Sequence, residues 1–466
     1  MLLFYETITR AERRLWLSFP ALNDKAEPLL PSPYLAELAR ICKHELHGQA
    51  HISDLRPIPP PDALLNIFDA RIRAAAAAGE APQADVAELA AVVRASGDAG
   101  MNLMTGLGVV DARSRRGEFG PYEGMIIGDD SRRMLDQKFH TGFPWSAGQL
   151  EEYGFCPHKF FLSRVLKLEP AAEVGLEVDY FKRGSRTHDV LAELHGRINE
   201  QLREAGLPSE LAEVEYERLV EQTVAKYLAK ENVATLDEAF RAIDEKLLRR
   251  WLSKYREQHD KYDKTHGGDV DLPRPTHFEK SFGMPVREGD RVSKSEPLEL
   301  KLDDESVRIT GRIDRIDVGM AAGRAVFTIV DYKTGRAAGY SKDAVTSGRV
   351  LQLTLYAMAA QQLILRDEQA VPWQFGYWFI ADSGFKKTLL LHQVEENLLK
   401  ATDDWNTLRD DIIARVIALV RGIRSGQFPM HSADEHCTSL CEFNTVCRVA
   451  QVRSLEKTWQ PPPARR

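Results

Sequence analysis

Apolar and polar positions alternate with a readable period mainly beyond residue 146. Residues 146–167 carry Leu150, Tyr153, Phe160 and Phe161 at helical spacing. A further helix follows Gly184, with His188, Leu191, Leu194 and Ile198, and residues 208–262 read as two long helices. Period-2 patterns then predict strands at 276–285, 297–302, 307–318, 325–332 and 374–381. The last holds Phe375, Tyr377, Trp378 and Phe379, a strongly β-prone set. A helix at about 349–366 separates the final two strands, and a longer one is expected at 395–425. Strands joined by helical crossovers imply an α/β core. Upstream, residues 1–40 read as strand, helix and an extended stretch ending in Pro31-Ser32-Pro33. Residues 57–61 break structure, Ala74–Ala78 lies in an amphipathic helix, and residues 95–125, rich in Gly and Arg, look irregular. No internal repeat is visible.

Composition changes this picture little. With 466 residues, 43% hydrophobic and 28% charged, the chain can hold two or three domains with a full core. It has no apolar run of about 18 residues, so no membrane span is expected. Glu6, Arg10 and Arg13 interrupt the N-terminus, which therefore does not read as a secretory signal. The net charge of −7 argues against a general DNA-coating protein but permits an enzyme with a local basic channel. Five cysteines in so long a chain do not form a disulfide framework; a reducing, cytoplasmic setting fits, and clustered thiols then suggest metal.

Two constellations carry chemistry. Strand 307–318 contains Gly311-Arg312-Ile313-Asp314-Arg315-Ile316-Asp317, and the next strand ends Asp331-Tyr332-Lys333-Thr334-Gly335. A hairpin of the two brings Asp314 beside Asp331, with Lys333 on the same side as Asp331. Two carboxylates with an open position suit Mg²⁺ or Mn²⁺, and a lysine alongside can orient water or neutralise an oxyanion. A surface hairpin of alternating charge is the bland alternative; Ile329 and Val330, which make the second strand buried, weigh against it. Taken alone, His188 reads as an ordinary helix histidine, and Gln352 and Tyr356 as polar edges of an amphipathic helix. The second constellation is Cys156, followed by Pro157, together with Cys437, Cys441 and Cys447. One lone cysteine and a trio suit an iron–sulfur cluster; zinc and four plain buried thiols are the alternatives. His431 and His436 are spare ligands or surface groups, and Cys42 reads as a free thiol.

Together, Arg183-Gly184-x-x-x-His188, Gly311-x-x-Asp314-Arg315-x-Asp317, Asp331-Tyr332-Lys333 and Gln352-x-x-x-Tyr356 resemble the PD-(D/E)XK nuclease superfamily in its RecB-like branch. The resemblance implies a restriction-endonuclease-like α/β core: a mixed central sheet flanked by helices, with a helical insertion at about 200–265. It also implies metal ligands His188, Asp314, Asp331 and the Tyr332 carbonyl. Lys333 would be the catalytic lysine, and Gln352 and Tyr356 would line the DNA groove or support it. Asp317 would be structural, and Glu279 secondary. The cysteines resemble the AddB-type iron–sulfur nuclease domain, although C-x3-C-x5-C is one residue longer than the usual trio. That resemblance implies a [4Fe–4S] cluster on Cys156, Cys437, Cys441 and Cys447, acting as a mechanical staple.

The N-terminal run Phe4-Tyr5-Glu6-Thr7-Ile8-Thr9-Arg10-Ala11 resembles the last motor motif of superfamily 1 helicases, and Ser32-Pro33-Tyr34-Leu35 the stretch just after it. With no G-x-x-x-x-G-K-[ST] loop in the chain, Arg10 reads as a vestige or as part of a site completed by another chain. The expected organisation is a helicase remnant at 1–40, a connecting region at 41–140 and a nuclease domain at 141–466. The expected function is metal-dependent exonuclease action on DNA, as a split or shortened subunit in double-strand break repair, alongside a helicase subunit or upstream motor chain. Lys182, Arg183, Arg186, Arg312, Arg315 and Arg336 are candidates for backbone contacts. The rival readings are a non-catalytic DNA-binding or scaffolding subunit and a motor subunit active only in complex.

Overall fold

The computed structural model describes residues 4, 8–10, 12, 17, 29–30, 32–45, 97–169, 180–205, 213–228, 237–266, 271–335, 341–439, 441–447, 449–457 and 459–460. The breaker at 57–61, the Ala74–Ala78 helix, Arg336 and most of the motor-like motif lie outside these residues, as do the side chains of Cys42, Lys182 and Arg183. The chain forms two compact units, Met1–Leu107 and Gly108–Arg466. In the first, Pro33–Glu45 is a helix, and Phe4 stacks on Tyr34 with ring centroids 5.2 Å apart. Among the described residues no helix is long and apolar enough to cross a membrane.

The larger unit is built on a mixed seven-stranded sheet. Its strands are β1 (Pro144–Ser146), β2 (Asp271–Phe282), β3 (Leu298–Leu302), β4 (Glu305–Ala321), β5 (Arg324–Lys333), β6 (Val371–Phe379) and β7 (Gly384–Leu390). β4 is long enough to pair with four others: parallel with β1, antiparallel with β2, β3 and β5. β5 pairs parallel with β6, and β6 antiparallel with β7. The parallel pair requires a crossover, supplied by the Gln352–Ala359 helix and its π-helical continuation Ala360–Ile364. β5 is buried over seven consecutive residues, as befits a central strand covered on both faces.

Two apolar cores lie against the sheet. One gathers Ile309, Ile313, Ile316, Phe327 and Ile329 with the 352–359 helix and the Asp403–Arg424 helix, whose Trp405, Ile412, Val416, Leu419 and Ile423 recur at helical spacing. The other places Val330, Tyr332, Trp378 and Ile380 under three helices, Tyr180–Ala205, Glu213–Leu228 and Asp237–His266. The last two lie in the span of the expected helical insertion at about 200–265, while the first begins at 180 and carries His188. Ile313 and Ile316 both enter the first core, whereas Arg315 meets Tyr255 and His259 on the other side and pairs there with Asp317. Side-chain alternation along β4 therefore slips by one around Asp314.

Several expected boundaries move for identifiable reasons. The helix over 146–167 breaks at Cys156, which adopts an extended conformation (φ −152°) because Pro157 follows and starts a new turn. The final long helix starts at Asp403 rather than 395, capped by Thr402, whose Oγ1 accepts from Trp405 N at 3.2 Å. The residues before it form a small hairpin, β8 (His392–Glu395) and β9 (Leu398–Ala401). Glu396 and Asn397 turn it, both with positive φ (50° and 62°), the geometry of a two-residue primed turn. Residues Asp98–Ser114, expected to be irregular, are helical despite Gly106 and Gly108.

Candidate metal centre

The β4–β5 ladder ends at Arg315 paired with Val330. Beyond that fork the Tyr332 N–H has no strand partner on β4, and the Asp314 carboxylate accepts it instead (Oδ2, 2.9 Å). Asp314 is thereby fixed at the point where Asp331, Tyr332 and Lys333 leave the ladder. His188, from the 180–205 helix, brings Nδ1 to 3.4 Å from the same Asp314 oxygen. Opposite Asp314 on β2 stands Glu279, whose φ of 51° is a left-handed conformation rare for a residue with a side chain. His188, Glu279 and Asp314 each offer a ligand atom within 4.8 Å of one another. Glu279 Oε1 is buried and makes no hydrogen bond, while Arg312 lies 3.7 Å from the other oxygen. A buried carboxylate oxygen without a donor is unfavourable unless a cation satisfies it.

Asp331 is 2% exposed, and both its oxygens are engaged. Gln352 Nε2 donates to Oδ1 at 2.6 Å, and Lys333 Nζ is in ion contact with Oδ2 at 2.5 Å, off hydrogen-bond alignment. Lys333 also lies over the Tyr377 ring, 5.5 Å from its centre. The helix that delivers Gln352 is itself held by Glu151, whose Oε1 accepts from Leu351 N (2.6 Å) and Gln352 N (2.9 Å). Tyr356, one turn along, is nearly buried and packs over Gly311, where any Cβ would stand 2.7 Å from the Tyr356 ring. The glycine of G-x-x-D is thus required by the tyrosine of Q-x-x-x-Y.

Charge is concentrated here. Burial first, then the charge of Asp314, pushes the Asp331 carboxyl up to about 6, against the opposing pull of Lys333. The same two causes raise Glu279 to about 7. His188 is pushed up to about 9: burial opposes its protonation, but Asp314, Asp331 and Glu279 outweigh it. Burial also opposes the Lys333 charge, and Asp331 again prevails. Three carboxylates around one imidazole hold excess negative charge, and a hard divalent cation fits that oxygen-rich donor set.

His188, Asp314, Asp331, Lys333 and Gln352 thus come together at the fork, with Tyr356 packed over Gly311, and two differences of emphasis emerge. Glu279, expected to be secondary, stands in the tight triplet, while the Asp331 oxygens face Lys333 and Gln352. The left-handed backbone of Glu279 has no counterpart in the sequence pattern. Glu151 escapes sequence reasoning altogether, since a lone glutamate in an amphipathic helix gives no signal. Arg315, expected at a DNA backbone, is fully buried with Asp317 and cannot serve there. Among the other basic candidates, Arg312 has a side chain 42% exposed, and Arg186 lies 3.8 Å from Asp244.

The four cysteines line one cavity of about 160 Å³, together with Lys159, His431 and Asp434. His436 is exposed and does not line it. Cys156 Sγ accepts from Lys159 N at 3.3 Å, and Cys437 Sγ from Arg453 Nη2 at 3.3 Å. Burial pushes the Cys156 thiol up to about 12 and raises Cys447 as well. Beyond the trio the tail folds back: Lys457 Nζ pairs with both Glu123 oxygens (2.7 and 2.8 Å), fully buried, and Trp459 meets the Tyr153 ring at 6.0 Å.

Residues 144–448 match the profile of the PD-(D/E)XK nuclease superfamily. The chain is also similar to bacterial proteins named as one component of an ATP-dependent helicase/deoxyribonuclease. That of Desulforamulus reducens is 25% identical over 425 residues, covering 85% of this chain and 33% of the relative. That of Moorella thermoacetica is 27% identical over 385 residues, covering 77% and 29%. The chain thus spans about a third of the length of these relatives.

Proposed function

Since the chain belongs to the PD-(D/E)XK nuclease superfamily, we propose that it is a divalent-metal-dependent DNA exonuclease, an AddB-like subunit that works in double-strand break repair with a helicase subunit or motor chain in the cytoplasm. The observation that carries this reading is the orphaned Glu279 oxygen beside Asp314 and His188 at the fork where Asp331 and Lys333 emerge. His188, Glu279, Asp314 and, through its neighbours, Asp331 would hold Mg²⁺ or Mn²⁺, with the Tyr332 carbonyl completing the set. Such an ion lowers the pKa of bound water and neutralises phosphate charge.

The protein's own groups do the rest. Lys333, kept charged by Asp331, stands where it can position the attacking water and offset charge growing on the phosphoryl oxygens. Gln352 keeps the Asp331 carboxylate oriented, and Glu151 keeps Gln352 in place. Attack of water on phosphorus breaks the bridging P–O bond, and the departing oxygen takes up a proton.

The cysteine cavity fits a [4Fe–4S] cluster as a staple between residues 147–160 and the tail. All four thiols line that one space of about 160 Å³, and the lone-cysteine-plus-trio spacing favours the cluster over a single zinc ion. The test of the enzymatic reading is cleavage of labelled DNA with Mg²⁺ and with EDTA. Asp331→Ala and Lys333→Ala chains should still bind DNA and lose cleavage; full cleavage by both variants would refute the site, and DNA binding without cleavage by the wild type would favour the scaffolding reading.

A further inference from the structure

Behind the carboxylate fork lies a second polar system that the chemistry above does not use. Arg315 and Asp317 are both 0% exposed. Arg315 Nε and Nη2 donate to the two Asp317 oxygens, each at 2.6 Å, and its guanidinium stands 4.9 Å from the centre of the Trp378 ring. Nη1 donates to the Tyr255 hydroxyl at 2.5 Å, and Nη2 meets His259 Nε2 at 3.1 Å. The Tyr255 hydroxyl also contacts His195 Nε2 (2.7 Å) and the Tyr332 hydroxyl (3.1 Å). Because Tyr255 accepts from Arg315 and has one proton to give, the chain has one fully satisfied direction: Tyr332 O–H to Tyr255, and Tyr255 O–H to a neutral His195.

A buried ion pair is a poor device for stability alone. Apolar residues of similar volume commonly do as well or better, so its retention calls for another reason. Its location supplies one. Arg315 is the last β4 residue in register with β5, and the next residue toward the fork is Asp314. Tyr332 turns its ring to the network while its backbone N–H holds Asp314. His195 lies two helical turns after His188 on the 180–205 helix. β4, β5 and the 180–205 helix, the segments of Asp314, Tyr332 and His188, are thus tied to one hydrogen-bonded system just where the backbone ladder stops, whereas Glu279 and Gln352 arrive on segments outside it.

We infer that Arg315, Asp317, Tyr255, His195 and the Tyr332 hydroxyl form a positioning network that takes over from the ladder and sets the Tyr332 carbonyl, Asp314 and His188 for cation binding. The inference rests on the metal reading above. Polar groups behind metal ligands typically govern affinity by 10–100-fold.

The experiment is calorimetric titration of the full chain with Mn²⁺, without DNA, alongside thermal melting. Tyr332→Phe and Tyr255→Phe keep the ring shapes and remove the hydroxyls; His195→Gln is a third variant that keeps a polar group. Each should weaken Mn²⁺ binding about 10-fold, and the Tyr255→Phe/Tyr332→Phe double variant should lose less than the sum, since both break one bond. Tyr216→Phe is the structural control. The Tyr216 hydroxyl donates to the Leu252 carbonyl at 2.9 Å and so joins the 213–228 helix to the same 237–266 helix, outside the network. It should lower Tm and leave Mn²⁺ affinity unchanged. Network variants that lower Tm as Tyr216→Phe does, with Mn²⁺ affinity intact, would overturn the inference and leave the metal reading standing. A wild-type chain that binds no Mn²⁺ would overturn both.

Discussion

The carboxylate fork and the cysteine cavity hold their ligands in opposite ways. At the fork, Asp331 is already paired with Lys333 and Gln352, and Asp314 with Tyr332 N, on strands buried on both faces. In the cavity, burial holds the Cys156 and Cys447 thiols in their protonated forms. Three of the four sulfurs accept hydrogen bonds, from Lys159 N, from Arg453 and from the Val449 N–H. Thiolate ligation needs those protons to leave. The first region is therefore shaped by the fold before any ion arrives. On the proposed cluster reading, the second would be completed by what it binds, and its occupant would then contribute to folding.

The largest effects should separate the two regions cleanly. Asp331→Ala removes a group that matters to the reaction and should lower DNA cleavage by about 10³-fold or more, while Tm moves little. Cys441→Ser should do the reverse, lowering Tm by roughly 5–10 °C because the free energy of a bound centre is folding free energy. The residual cleavage measured well below that Tm should stay near wild type. Melting curves and single-turnover cleavage on the same preparations check both. A Cys441→Ser chain that melts like wild type, purified with a bound cluster in the parent, would remove the contrast.

The middle-sized effect probes how rigidly the fork is built. At Gly311 a Cβ would stand 2.7 Å from the Tyr356 ring and 2.9 Å from that of Phe282. Gly311→Ala should destabilise the chain by about 1–3 kcal/mol, as overpacking does, and should also disturb the helix that presents Gln352 to Asp331. Gly106→Ala, in a helix with open space at that Cβ, is the control and should be neutral or stabilising. Denaturant melts of the two variants give the comparison; equal effects would mean that the Tyr356 contact is soft.

Legibility in the sequence follows the same division. Asp331 and Lys333 can be placed on one side of a buried strand because the period of a strand is 2, and the apolar run Ile329-Val330 marks the burial. The antiparallel pairing of β4 with β5 follows from their proximity in the chain. Glu279 and Arg315 mislead for different reasons: Glu279 on β2 takes a left-handed backbone that no pattern signals, while Arg315 lies where β4 slips its alternation, and a slip of one residue exchanges inside for outside. Read by period alone, Arg315 looks like a solvent-facing neighbour of Asp314. Only the insertion helices, which bring Tyr255 and His259, make it a buried partner of Asp317. Glu151 acts through two backbone N–H groups some 200 residues away, a pairing that no local pattern encodes.

The smallest effect concerns pH and returns to the network behind the fork. His195 is held well below the usual histidine range, first by burial and then by the Arg315 charge and His259. Its role as acceptor from Tyr255 needs the neutral ring. In the unfolded chain the same imidazole titrates near pH ~6.5. Between that value and the lower folded one, the unfolded state binds the extra proton. The contribution of His195 to stability is therefore fully present above pH ~6.5 and is lost as the pH falls toward the folded pKa. His158, His277, His392 and His431 are depressed by burial in the same direction, while Glu279, Asp331 and His188, all raised at the fork, act the opposite way between pH 7 and 5, so the His195 share is read as a difference from wild type. His195→Gln removes one titrating group and should make Tm fall less, or rise more, from pH 7 to 5 than in wild type, though the variant starts lower at pH 7. An unchanged slope would mean that His195 is not held neutral by its surroundings, and the direction assigned to the Tyr332–Tyr255–His195 hydrogen bonds would then be wrong.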